Sequence, residues 1–137
     1  MVALKQDEMR RLAEKAVNLA QRRRADEAEA YVYQGLTTNV NIKRGQINES
    51  SRIIDRGLGI RAIMNKAIGF SYTNMLENED VIEETVLKAL NSARASKPDK
   101  DWHGLPTKKT FSSVTGTYDN KIVELNSEDL VKTLLQC

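Results

Sequence analysis

At 137 residues and 40% apolar content, the chain has room for one domain with a modest core. Its 21 Lys and Arg nearly cancel 19 Asp and Glu, so a formal charge of +2 gives no mandate for nucleic acid or an anionic surface. No apolar run reaches the length a bilayer span requires, which excludes a membrane helix.

Residues 4 to 24 read as a helix, because Met9, Leu12, Ala13, Ala16, Val17 and Ala20 recur at three- and four-residue spacing. Asp7 and Glu8 near its start and Arg22, Arg23 and Arg24 near its end complement the helix dipole. From Glu27 the period becomes two: Ala28, Ala30 and Val32 share one face, with Glu29, Tyr31 and Tyr33 on the other. Gly35 is expected to break this strand. Leu36, Thr38, Val40 and Ile42 then alternate with Thr37, Asn39, Asn41 and Lys43 in a further strand. Arg44-Gly45 predicts a turn, Ile47 to Ile53 a return strand, and Asp55-Arg56-Gly57 another turn.

The stretch GLGIRA, Gly57 to Ala62, satisfies the glycine fingerprint of dinucleotide-binding turns, and Glu77 follows at about the right distance. Such a site needs its glycines to end a strand and open a helix. Here Ile60, Ala62 and Met64 alternate with Arg61 and Ile63, which continues a strand through the supposed helix start. Asn65-Lys66 then reads as a short connection and Ile68, Phe70 and Tyr72 as a second strand. A hairpin is therefore expected, with Gly57, Gly59 and Gly69 serving structure at bends or close backbone approaches.

Residues 78 to 96 predict the next helix, capped by Asn78, with Glu79, Asp80, Glu83 and Glu84 in its first turns and Pro98 beyond its end. Ile82, Val86, Ala89, Leu90 and Ala93 form its buried stripe. The polar segment that follows is expected to cross the surface with Trp102 and Leu105 tucked against the body. Ser127 is expected to cap a last helix carrying Leu130, Val131, Leu134 and Leu135, whose apolar end suggests a continuation. The fold class is α+β: a mostly antiparallel, curved sheet of about four to five strands, packed with an N-terminal helix and a second helix after the sheet.

Side chains able to carry chemistry are few. His103, the only histidine, has no acid–nucleophile constellation around it, and Cys137, the only cysteine, is poorly held at a fraying end. These two residues cannot supply an ordinary His and Cys zinc site, and one cysteine makes no internal disulfide, as suits a reducing compartment. The acidic opening lacks an apolar signal core, so a cytoplasmic location is expected. Carboxylates at 77 to 84 answer the helix dipole, and Arg22 to Arg24 with Lys108 and Lys109 read as solvated charge. Binding is the expectation that remains. Tyr31 and Tyr33 could stack on a partner, and the Asn- and Ser-rich strands with Asn39, Asn41, Asn48 and Ser50 could pair at an edge with an extended peptide. No catalytic residue and no metal ligand is assigned.

The order of elements and the wording EAEAYVYQG, INESSRIIDRGLGIRAIMNKAIGFSYTN, ALNSARASKPD and GLP resemble the amino-terminal domain of the TldD/PmbA family, whose members are often labelled modulators of DNA gyrase. The likeness covers about residues 5 to 106, and Gly57, Gly59, Arg61, Gly69, Phe70, Ser71 and Thr73 match the family's paired-strand wording. It implies residues 1–106 as the N-terminal α+β domain and 107–137 as a connector and the start of a third helix, leading to an absent carboxy-terminal domain. The family's TldD-type members are zinc metalloproteases acting on peptides and unfolded segments, as homodimers or as heterodimers with a PmbA-type subunit. Their zinc motif, His-Glu-x-x-x-His with a distant cysteine, lies in the carboxy-terminal domain. This sequence has no His-Glu pair, and Cys137 is not carried over as a ligand. The resemblance thus implies a non-catalytic domain, a fragment or an unusually short member, inactive alone, that encloses extended peptide and contributes subunit contacts, with zinc expected only in the missing domain or a partner. The alternative is a gyrase- or nucleic-acid-associated regulatory module, against which the near-neutral charge argues.

Overall fold

A computed structural model describes residues 4–107, 110 and 112–136. Its elements are α1 (Gln6–Arg22), β1 (Glu27–Lys43), β2 (Gln46–Met64), β3 (Ala67–Thr73), α2 (Glu79–Ala95), α3 (Asn120–Glu124) and α4 (Ser127–Leu135). The class is α+β, as expected, but the sheet has three strands in the order β1-β2-β3 rather than four to five. The difference arises at Gly35 and at Asp55-Arg56-Gly57, where breaks were expected and β1 and β2 run straight through. Neither Gly35 nor Gly57 has a positive φ, so each keeps an extended backbone that any strand can continue. The chain reverses where consecutive residues are left-handed. These are Arg44 and Gly45 (φ 54° and 73°) and Asn65 and Lys66 (φ 50° and 64°), both two-residue turns of the kind that suits strand twist.

The chain divides into two compact units, one of residues 1–34 and 56–107, the other of 35–55 and 108–137. In the first, Leu58, Ile60 and Ala62 of β2 meet Ala16 and Ala20 of α1 and Val86, Ala89 and Leu90 of α2, all fully buried. Ala28, Ala30 and Val32 pack against this cluster, as the alternation along β1 anticipated. Both helices therefore cover one sheet face, and ion pairs Lys15–Glu79 (2.6 Å) and Arg23–Glu83 (2.6 Å) tie α1 to α2.

Asn78 caps α2, its side chain accepting from the N–H groups of Asp80 (3.0 Å) and Val81 (3.3 Å). At α1 the Lys5 N–H donates to the Glu8 carboxylate at 2.7 Å, closing the first turn. Gly69 is the tightest point in this unit. A Cβ there would lie 2.1 Å from the Ala89 carbonyl oxygen and 2.2 Å from the Ala93 nitrogen, so α2 rests directly on the β3 backbone.

In the second unit, residues 35–55 form a two-stranded ribbon around the Arg44-Gly45 turn, and Asn41 donates to Glu49 across it at 3.2 Å. None of its described residues is buried. Helix α3, capped by Asp119, lies in the segment expected to be irregular, and α4 is capped by Asn126 rather than Ser127. Leu36 and Thr38 of β1 line an apolar groove with Ile122, Val123, Leu125 and Leu130.

Candidate functional site

The sheet face opposite α1 and α2 is uncovered over much of its area and is aromatic. Gly59 of β2 is paired with Tyr72 of β3, Arg61 with Phe70, and Ile63 with Ile68, so these six share that face. Phe70 is 59% exposed and Tyr72 77% exposed, and their rings stack at 6.3 Å between centroids. On β1, Tyr31 (71% exposed) and Tyr33 (44% exposed) point the same way, opposite to Ala30 and Val32 in the core.

On this face Glu29 of β1 and Arg61 of β2 form an ion pair. Because β2 lies between β1 and β3, Tyr31 and Tyr33 stand to one side of it and Phe70 and Tyr72 to the other, and Gly57 and Gly59 leave a shallow trough along β2 itself. A Cβ at Gly59 would lie 3.2 Å from the Phe70 ring, so that ring leans over the floor.

One end of the trough is closed. Trp102 donates from Nε1 to Glu27 at 2.8 Å, the Leu105 N–H donates to the same carboxylate at 2.6 Å, and the Asp99 N–H donates to the Lys66 carbonyl at 2.9 Å. The hydrogen bond from Trp102, followed by that from Leu105, holds the Glu27 carboxyl below its ordinary range. The Arg61 guanidinium lies 5.8 Å from the Trp102 ring centroid, a cation–π contact, while its Nε is buried with no hydrogen-bond partner among the described residues. Segment 99–105 is thus a strap over the sheet end, and the expected docking of Trp102 and Leu105 is found.

The remaining residues marked in the sequence separate. Tyr31 and Tyr33 belong to the first unit, whereas Asn39, Asn41, Asn48 and Ser50 lie exposed on the ribbon of the second. Gly57 and Gly59 sit inside a strand, with no helix emerging after Ala62, so the nucleotide-turn pattern has no counterpart in the backbone. His103 is exposed. Four of the carboxylates near α2 are engaged in ion pairs: Glu77 with Arg56, Glu79 with Lys15, Glu83 with Arg23 and Glu84 with Lys88. Lys15 holds the Glu79 carboxyl below its ordinary value by hydrogen bonding and by charge. Lys108, Lys109 and Cys137 lie outside the described residues.

Among the described residues no group of three or more His, Cys, Asp and Glu could hold a metal ion, so these side chains do not fit a zinc site. No helix among them is long and apolar enough to cross a membrane. Sequence reasoning missed Phe70, Tyr72 and Trp102 as companions of the tyrosines. The alternation in IGFSYT was the available signal for the first two, since Phe70 and Tyr72 share a strand face.

The family model for PmbA/TldA metallopeptidase domain 1 matches residues 28–96. The fold is shared with TldE from Thermococcus kodakarensis at a TM-score of 0.77 and 21% identity, over 90% of this chain and 27% of that one. It is shared also with a candidate modulator of DNA gyrase from Bacteroides thetaiotaomicron VPI-5482, at a TM-score of 0.80 and 22% identity, over 94% of this chain and 30% of that one. The chain therefore spans less than a third of either solved relative. Among curated proteins none matches. With the matched segment running from the first strand to the end of α2, the chain belongs to the PmbA/TldD family, within which it corresponds to domain 1.

Proposed function

We propose that this chain is a non-catalytic domain of a TldD/PmbA-type peptidase assembly, helping to enclose an extended polypeptide and contributing to subunit contacts. The observation that carries this is a pairing. The chain matches domain 1 of a metallopeptidase family, yet its described residues offer a bare aromatic sheet face and no metal-ligand group. Peptide-bond hydrolysis then belongs to another domain, where zinc supplies the activated water. Homodimers or a TldD/PmbA heterodimer, in the cytoplasm, are the setting proposed.

The test is binding of a fluorescein-labelled unfolded polypeptide, reduced carboxymethylated lactalbumin, measured by anisotropy. It is run with the chain alone and with a TldD-type carboxy-terminal domain added. Saturable binding in either setting is expected. Absence of binding in both would refute the proposal.

A further inference from the structure

We infer that the 99–105 strap is a latch, which opens and closes as a unit over the end of the outer sheet face while the rest of the first unit stays folded. Closed, it withholds Ile63 and part of Arg61 from that face. Open, the exposed face extends from Tyr72 and Phe70 to Arg61 and Ile63. The device does not depend on what the face binds.

Three observations carry it. The first is the separateness of what the strap covers. Ile63 is paired with Ile68 and follows Arg61 on the outer face, whereas Ile60 and Ala62 point into the core. Ile63 is nonetheless only 1% exposed. Because α1 and α2 lie on the other face, its cover comes from the strap side, where Trp102 meets Arg61. Lifting the strap therefore uncovers Ile63 and leaves the helix-facing core of Leu58, Ile60, Val86 and Leu90 in place. The second is attachment. The strap has no helix or strand of its own. Trp102 Nε1 and the Leu105 N–H both donate to one carboxylate, that of Glu27, and the Asp99 N–H donates to the Lys66 carbonyl. Losing one acceptor thus frees two donors at once. The third is a cost of closing. Arg61 Nε is buried with no hydrogen-bond partner among the described residues, and water satisfies it once the strap lifts. A segment with few buried apolar groups belongs to the low-stability end of a fold.

Native-state hydrogen exchange of the full chain in low urea tests this. The Leu105 and Asp99 amides are expected to be protected, yet to open at least about a hundredfold more often than those of Ala89 and Leu90 inside α2. Their opening should depend little on urea, since it exposes little surface. Val86→Ala weakens the core and should speed exchange at Leu90 at least about tenfold while leaving Leu105 and Asp99 unchanged. Glu27→Gln removes the charge that holds the strap and should speed Leu105 exchange about tenfold. Gly104→Ala should do the same for a different reason, because φ 114° at that position is rarely open to a residue with a side chain. Leu105 and Asp99 amides that match Leu90 in opening and in urea dependence would show that the strap moves only with global unfolding, and the latch is then refuted. So it is if those amides have no protection, if Val86→Ala speeds them as much as Leu90, or if Glu27→Gln leaves Leu105 unchanged. The urea dependence is read on the parent chain, so the outcome stands even if a variant fails to fold.

Discussion

Replacing Gly69 by alanine adds one methyl group at the place where β3 and α2 touch. The new Cβ would sit 2.1 Å from the Ala89 oxygen, 2.2 Å from the Ala93 nitrogen and 2.9 Å from the Ala93 Cα, where ordinary contact begins at 3.4 Å. The obstructing atoms are backbone, so no rotamer change relieves the overlap. Helix α2 must retreat by more than an ångström, and Ile82, Val86, Ala89, Leu90 and Ala93, all buried, must shift with it. Overpacking typically costs about 1–3 kcal/mol, and a clash with helix backbone belongs at the upper end, about 3 kcal/mol. With a slope near ~1.5 kcal/mol per molar urea, the midpoint should fall by about 2 M. Gly45→Ala is the control. It meets open space at φ +73°, so only backbone strain of about 1–2 kcal/mol applies. Urea titrations of both variants, followed by far-ultraviolet circular dichroism, decide the matter. If Gly69→Ala costs no more than Gly45→Ala, the close seating of α2 on β3 is wrong.

Asn78→Ala removes the acceptor of two α2 amide groups and should cost about 1 kcal/mol, whereas Asn78→Asp should retain most of it; thermal melts of the pair check this. Glu27 provides a pH test through Trp102, the chain's only tryptophan. Because the folded carboxyl is held below its ordinary value, the clamp is fully present above about pH 4.3 and is lost as pH falls through the lowered folded value. Tryptophan emission should therefore stay constant down to that region and then shift to the red. In Glu27→Gln it should lack this acid transition; a transition that persists there would assign it to other carboxylates.

Much of the fold was legible because it is written locally. The stripes of α1 and α2, the Asn78 cap and the two left-handed turns depend on residues within a few positions of one another. The same alternation through Ile60 to Met64 argued against a phosphate-binding turn at Gly57. The strand count was not legible. A glycine such as Gly35 carries no local mark of whether its φ is extended or left-handed, and partner strands decide. Helix α3 spans five residues, too few to establish a period. The trough was half visible. Tyr31 and Tyr33 stood out by alternation, but their facing wall depends on the register across three strands. Gly69 could be marked as a close approach, but not what approaches it.

The carboxylate of Glu27 has a consequence for synthesis. Its two donors, Trp102 and Leu105, lie 75 and 78 positions downstream, beyond the matched segment that ends at residue 96. A growing chain that has released α2 still holds an acidic group at the head of β1 with neither donor in place. Vectorial maturation of the first unit therefore finishes only once Leu105 clears the ribosome, and any excised version meant to stand by itself should be cut after that residue.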